Sequence, residues 1–229
     1  MTFAKKILML IVFLLIGSFL LGVYNGYKKA IITTNMTTDD RTVKKTINQK
    51  DLICNENENY DGSYTYTCLY KNLKPFTGTS YEKNTSGIIV FEGDYINGML
   101  DGLSKVYCEN GTLKTEAQNK KGKLDGLVKI YMPKGQLATE QYYKNGFPDG
   151  LFREYFPNGQ LLAEGNYKKG KLDGTINRYY SNNKLAMKII INNDVPVDLK
   201  CFNKNGKKGI CKKVQAELSS EFNNVVSQF

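Results

Sequence analysis

The sequence predicts an all-β repeat: an elongated meander of antiparallel β-hairpins, preceded by a transmembrane helix and closed by a short C-terminal capping helix. Three observations predict it. Asp-Gly recurs at 101–102, 125–126, 149–150 and 173–174, a step of 24 residues each time. Each step holds two short segments rich in β-branched and aromatic residues, joined by a turn dipeptide. The two ends of the chain break this pattern, with an uncharged apolar run from Ile7 to Val23 at one end and helical apolar spacing after Cys211 at the other.

Taken in order, residues 1–27 read as a signal anchor. Lys5 and Lys6 precede the apolar run, and Lys28 and Lys29 follow it. The run lies at the lower limit for spanning a bilayer, and no small-residue cleavage site closes it. An uncleaved anchor with the bulk of the chain outside the cytoplasm is therefore favoured. The alternative is cleavage, leaving a secreted or periplasmic protein. Residues 28–50, polar and Thr-rich, read as a linker.

Residues 51–74 read as an N-terminal cap hairpin. If Tyr60-Asp61-Gly62 forms its loop, Cys54 and Cys68 stand directly opposite each other. Cys201 and Cys211 likewise flank an Asn205-Gly206 turn within residues 194–229, which read as a C-terminal cap hairpin and helix. Two such pairs are expected to be disulfides of an oxidising compartment. The rival, a four-thiolate metal site, lacks the ligand spacing of a zinc knuckle.

Residues 75–193 hold five repeats with atypical end units. Within them Asn110-Gly111, Lys134-Gly135, Asn158-Gly159 and Asn182-Asn183 are expected to form two-residue type I′ turns, which need positive φ at both positions. That register places Lys105 opposite Glu116, Lys129 opposite Glu140, Arg153 opposite Glu164 and Asn177 opposite Lys188. Three of these pairs join opposite charges, each contributing roughly 0.2–1 kcal/mol. The same register gives one face Ser104, Val106, Cys108, Leu113 and Thr115, the expected core, with Cys108 a small buried residue. The other face carries a column of Tyr107, Tyr131, Tyr155 and Tyr179, which reads either as a structural ladder or as a partner-binding face. The structural turns are then Asp101, Gly102, Gly111, Asp125, Gly126, Gly135, Asp149, Gly150, Gly159, Asp173 and Gly174. The Asp-Gly pairs are read as links between hairpins that need no calcium.

Composition narrows the function. Net charge is +10, with 32 Lys and Arg against 22 Asp and Glu, which favours acidic partners. The excess is spread along the chain, and no zinc-finger, helix-turn-helix or RNA-recognition pattern accompanies it, so no nucleic-acid partner is expected. Histidine is absent, which removes the commonest general base and metal ligand. The repeat explains most Asp and Glu positions and leaves no orphan acidic pair. No catalytic residue, metal, cofactor or small-molecule substrate is therefore expected. The apolar side of the terminal segment, Val214, Leu218, Phe222, Val225, Val226 and Phe229, suits a helix folded over the open end of the sheet; a membrane-surface helix is the alternative.

The unit running from Asn145 to Gly170, of the form NGxxDGLxxxYxxNGxLxxExxYxxG, resembles the MORN repeat variant found in bacterial proteins, including those of the YwqK antitoxin type. The resemblance implies a hairpin meander used for binding, either as a membrane-anchored scaffold for an envelope protein or as an antitoxin neutralising a partner toxin. The membrane segment and paired cysteines set this chain apart from a cytoplasmic antitoxin.

Overall fold

Alternating side chains over seven to nine residues favour strands, and a strand's backbone groups must find partners in a neighbour. Each unit here finds them in the next copy of itself. The structure, a computed structural model, describes residues 45–48, 52–58, 64–70 and 74–226. The helix expected over 1–27, the first part of the linker, the Tyr60-Asp61-Gly62 loop and Phe229 lie outside the described residues. No helix among the described residues is long and apolar enough to cross a membrane.

The chain begins with β1 (Lys45–Asn48) and the hairpin of β2 (Leu52–Glu58) and β3 (Tyr64–Tyr70). The repeat hairpins follow: β4 (Gly78–Lys83) with β5 (Ile89–Ile96), β6 (Met99–Tyr107) with β7 (Leu113–Lys120), and β8 (Lys123–Tyr131) with β9 (Leu137–Lys144). Next come β10 (Phe147–Tyr155) with β11 (Leu161–Lys168), then β12 (Lys171–Leu172) and β13 (Gly174–Tyr179) with β14 (Leu185–Asn192). The chain ends in β15 (Val195–Cys201) and α1 (Cys211–Val226). The strands from β4 to β15 lie side by side in sequence order, with β12 on β11. The β2–β3 hairpin stands off this path and meets β6 through Thr67 and Met99.

Residues 45–48, expected to belong to a linker, pair in parallel with β4. They cover the edge that the first repeat hairpin would otherwise expose. At the other edge, the Leu199 N–H is taken by the Asp198 carboxylate at 2.9 Å and the Cys201 carbonyl by the Gly209 N–H at 2.8 Å.

The expected register is observed: Lys105 pairs with Glu116, Lys129 with Glu140, Arg153 with Glu164 and Asn177 with Lys188. The expected turns are not. The Cys108 N–H bonds the Thr112 carbonyl and the Gly111 N–H bonds the Cys108 carbonyl, both at 2.8 Å, which closes a three-residue loop. Gly111 alone in it has positive φ, at 83°. This is a type I turn followed by a left-handed glycine. The extra loop residue shifts the pairing by one, and a bulge between Val106 and Tyr107 shifts it back. The same loop and bulge recur in the next two units.

The type I′ turns lie instead between the hairpins. Asn97-Gly98, Lys121-Gly122, Asn145-Gly146 and Lys169-Gly170 all have positive φ at both residues, and so does Asn193-Asp194. Asp101-Gly102, Asp125-Gly126 and Asp149-Gly150, expected to be links, are inside β6, β8 and β10. There they form a bulge: Asn119 pairs with Leu124 but Ala117 with Val128, so Gln118 alone faces three residues. The bulge needs glycine, with φ +122° at Gly102, +125° at Gly126 and +114° at Gly150.

Each bulge holds the next turn. The Gly122 N–H donates to the Leu100 carbonyl, Gly146 to Leu124 and Gly170 to Pro148, all at 2.8 Å, and Asp194 to Leu172 at 2.9 Å. The other turn amide goes to an aspartate: Lys121 N–H to Asp101 at 3.2 Å and Asn145 N–H to Asp125 at 3.1 Å. At the first turn Phe76 and Thr77 take these two roles. Turn and bulge thus stack along one edge of the sheet and lock neighbouring units together.

The core face carries Val128 and Ile130, then Phe152, Ile176, Ile189 and Ile191, and ends in Tyr180, Ala186, Met187 and Cys201 beneath Val214 and Leu218 of α1. The helix therefore caps the open end, as its apolar spacing predicts. Cys108 is free and half-buried rather than fully buried. The column it shares with Met132, Phe156 and Tyr180 closes only toward the helix, where Phe156 and Tyr180 are fully buried. The expected C-terminal hairpin is short: beyond β15 Phe202 bridges Lys208, and the Asn203 N–H bonds the Lys207 carbonyl at 2.8 Å around a three-residue loop that ends in Gly206, before the chain turns into α1.

Candidate functional site

On the outer face the pairing between hairpins repeats the pairing within them. Glu92 lies beside Lys105, Glu116 beside Lys129 and Glu140 beside Arg153. Combined with the pairs inside each hairpin, this makes one row of alternating charge across the sheet, Glu92-Lys105-Glu116-Lys129-Glu140-Arg153-Glu164. Its members are half-buried. Arg153 Nε stands 3.8 Å from Glu164 Oε2.

The tyrosines pack over this row. Tyr107 donates its hydroxyl to Glu92, Tyr155 to Glu140 and Tyr179 to Glu164, each at 2.8 Å. Each bond reaches back 15 residues to the preceding hairpin, on the diagonal across the intervening Lys, Arg or Asn. Tyr131 holds the equivalent place on β8, opposite Leu137. The hydroxyls of Tyr107, Tyr155 and Tyr179 thus hold one unit to the next, and the half-buried rings of the column form part of the outer face. Burial, reinforced by the neighbouring glutamate, pushes the phenols of Tyr107, Tyr155 and Tyr179 up to about 12.

The sign of the linkage follows. A phenol whose folded pKa exceeds its unfolded value of about 10 contributes stability that is fully present below pH 10 and is lost as pH rises toward 12. In an absorbance titration these three tyrosines are expected to ionise well above pH 10, together with loss of the fold. A variant with Tyr107, Tyr155 and Tyr179 all changed to Phe is expected to lose part of that alkaline dependence. Ionisation of the ladder tyrosines near pH 10 with the sheet intact would contradict the ladder.

The cysteine pairs fall at the two ends. Cys201 and Cys211 are joined by a disulfide that ties the first residue of α1 to the end of β15. Cys68 is disulfide-bonded, and the residue directly across the ladder from it is Cys54. Among the described residues no group of three or more Cys, Asp or Glu could hold a metal ion.

The core face holds charges where the earlier units have Val106 and Ile130. Glu154 and Arg178 both pair with Ala163, one from each side, and so face each other across an alanine. Burial raises the Glu154 pKa and lowers that of Arg178, and attraction between the two opposes both shifts. Arg178 Nε and Nη1 are buried without a hydrogen-bond partner. Column-by-column comparison of all four units would have exposed this pair; comparison of the first two does not.

A stack of bulged hairpins whose conspicuous side chains bind the neighbouring copy defines a repeat protein. The sequence model of the MORN repeat variant family matches residues 124–145 and 148–169, so the chain carries MORN-variant repeats. The matched units start at Leu124 and Pro148, each just before its Asp-Gly bulge, and end at Asn145 and Lys169, the first residue of the turn that the bulge holds. No curated protein matches the chain.

Proposed function

We propose that this is a non-catalytic repeat protein, held at the bacterial envelope by its N-terminal apolar segment, that presents the outer face of its sheet to a protein partner. One observation supports the reading above others: the alternating Glu-Lys row and the tyrosine ladder form a continuous, half-buried polar and aromatic surface across successive hairpins. Such a surface suits protein recognition. Tyr142, on the same face, is 44% exposed and lies clear of the ladder.

The test places a photo-crosslinking amino acid at Tyr142 in growing cells and fractionates the membranes. A discrete crosslinked envelope protein in the membrane fraction, lost on Lys129→Glu with Arg153→Glu, is expected. A chain found in the soluble fraction and crosslinked to a protein whose growth inhibition it relieves would replace this reading with the antitoxin one. Absence of any crosslink on the outer face would remove the scaffold role.

A further inference from the structure

The lysines of the row described above lie between glutamates; Lys120, Lys121, Lys168 and Lys169 of the turn edge do not. The sequence Lys-Lys-Gly-Lys occurs twice, at 120–123 and at 168–171, each time around a type I′ turn. Three features of these turns are unexplained by folding. Lys121 and Lys169 sit at φ 50°, where asparagine is better suited and is used at the first and third turns. Lys120 pairs directly with Lys123, and Lys168 with Lys171; like charges directly opposite are destabilising. Lys120, Lys121, Lys168 and Lys169 are exposed, and among the described residues their ammonium groups meet no carboxylate. The nearby Asp101 and Asp125 are engaged by turn amides.

The two motifs are two turns apart. Four strands at about 4.8 Å each put them roughly 19 Å apart along the edge, and the exposed Lys144 of the third turn stands between them. Beyond the second motif, the fourth and last turns enclose an open recess of about 450 Å³ lined by Lys168, Lys169, Lys171, Asp173, Asn192 and Asn193. At the other end the first turn carries the exposed, uncharged Ile96 and Met99, so the charge is confined to turns two to four.

We propose that this edge binds a linear phosphate polymer, one without bases to be read, laid along the file of lysines with its end groups in the recess. The file is one turn wide, which suits a chain rather than a plane of headgroups. Exposed positive charge repeated at a fixed spacing gains most from a polyanion, because binding releases the counterions condensed on it. The surface is distinct from the outer face proposed above for a protein partner, so either can fail without the other.

The test measures binding of long-chain inorganic polyphosphate to the full chain in mild detergent over a series of salt concentrations. One variant carries Lys120→Gln, Lys121→Asn, Lys168→Gln and Lys169→Asn. A second carries the same loss of charge elsewhere, with Lys114, Lys184, Lys207 and Lys208 changed to Gln. The first is expected to lose at least tenfold in affinity and to flatten the slope of log K against log salt by about 3, while the second changes less than twofold. Should the first not fold, Lys121→Asn with Lys169→Asn, which suits the positive φ, is expected to lose about threefold. Equal losses in both fourfold variants would reduce the effect to net charge and overturn the proposal. Binding to phosphatidylglycerol vesicles with none to polyphosphate would overturn it in favour of a membrane surface.

Discussion

Phe156→Ala is expected to lower stability by about 3–5 kcal/mol, the range for emptying a fully buried aromatic site. Phe156 is 0% exposed and packs with Phe152, Leu162, Ile176 and Ile189. Its column-mate Met132 is half-buried, so Met132→Ala is expected to cost clearly less. Because each unit contacts mainly its neighbours, the damage should also be local. Hydrogen exchange is expected to accelerate from β10 to β15 and α1 while β4 to β7 change little. Equal losses at the two positions in urea unfolding, or uniform acceleration along the chain, would show that the core does not deepen toward the helix.

Gly126→Val is the second large effect. The residue has φ +125°, and a Cβ there would meet the Gln118 Cβ at 2.7 Å. Backbone strain costs roughly 1–3 kcal/mol, and the clash adds a further ~1–3 kcal/mol. Gly135 separates the two contributions: its φ is +89°, but a Cβ there would meet nothing within 4 Å. Gly135→Val should therefore cost only the strain. The bulge at Gly126 also presents Leu124 and Asp125 to the next turn, so Gly126→Val is expected to loosen the turn at Asn145-Gly146 as well. Thermal or urea unfolding of both variants checks the difference, and equal costs would place Gly126 in an ordinary turn.

Much of the architecture was legible in the sequence, and one part of it was legible through two errors that cancel. The pairing of Lys105 with Glu116 follows from a two-residue turn at Asn110-Gly111. The chain uses a three-residue loop and then adds a bulge at Val106, and the register beyond the bulge is the same. Charge complementarity found the register because it samples the ladder and not the loop. The turn chemistry was misplaced because Asn-Gly and Asp-Gly both mark turns by composition, and a bulge needs the same positive φ as a turn. The residue pair that distinguishes them, Asn or Lys before the glycine of Lys-Asn-Gly-Phe and Lys-Lys-Gly-Lys, stands three to four residues ahead of each Asp-Gly.

The candidate site was legible in position, with a structural ladder as one of its two readings, but not in its bonding. The tyrosine column was visible from its spacing, but the glutamate that binds each hydroxyl lies in the preceding hairpin, and a register worked out within one hairpin does not reach it. The opposing Glu154 and Arg178 escaped for the same reason, since strand β11 separates them. The Cys201–Cys211 disulfide, by contrast, depends on a local turn and was readable from spacing alone.

Amide hydrogen exchange at Gly122, Gly146 and Gly170 tests most directly whether each repeat grips the next through its bulge. All three are turn glycines, which ordinarily exchange freely, yet each bonds a carbonyl 22 residues earlier, on Leu100, Leu124 and Pro148. Stacked turns predict slow exchange at all three, comparable to that of the flanking strands, with Gly135 slow only to the extent that its own loop is. Exchange at Gly122, Gly146 and Gly170 as fast as in an unstructured peptide would contradict the stacking of turn on bulge and the assignment of the regular residues to architecture.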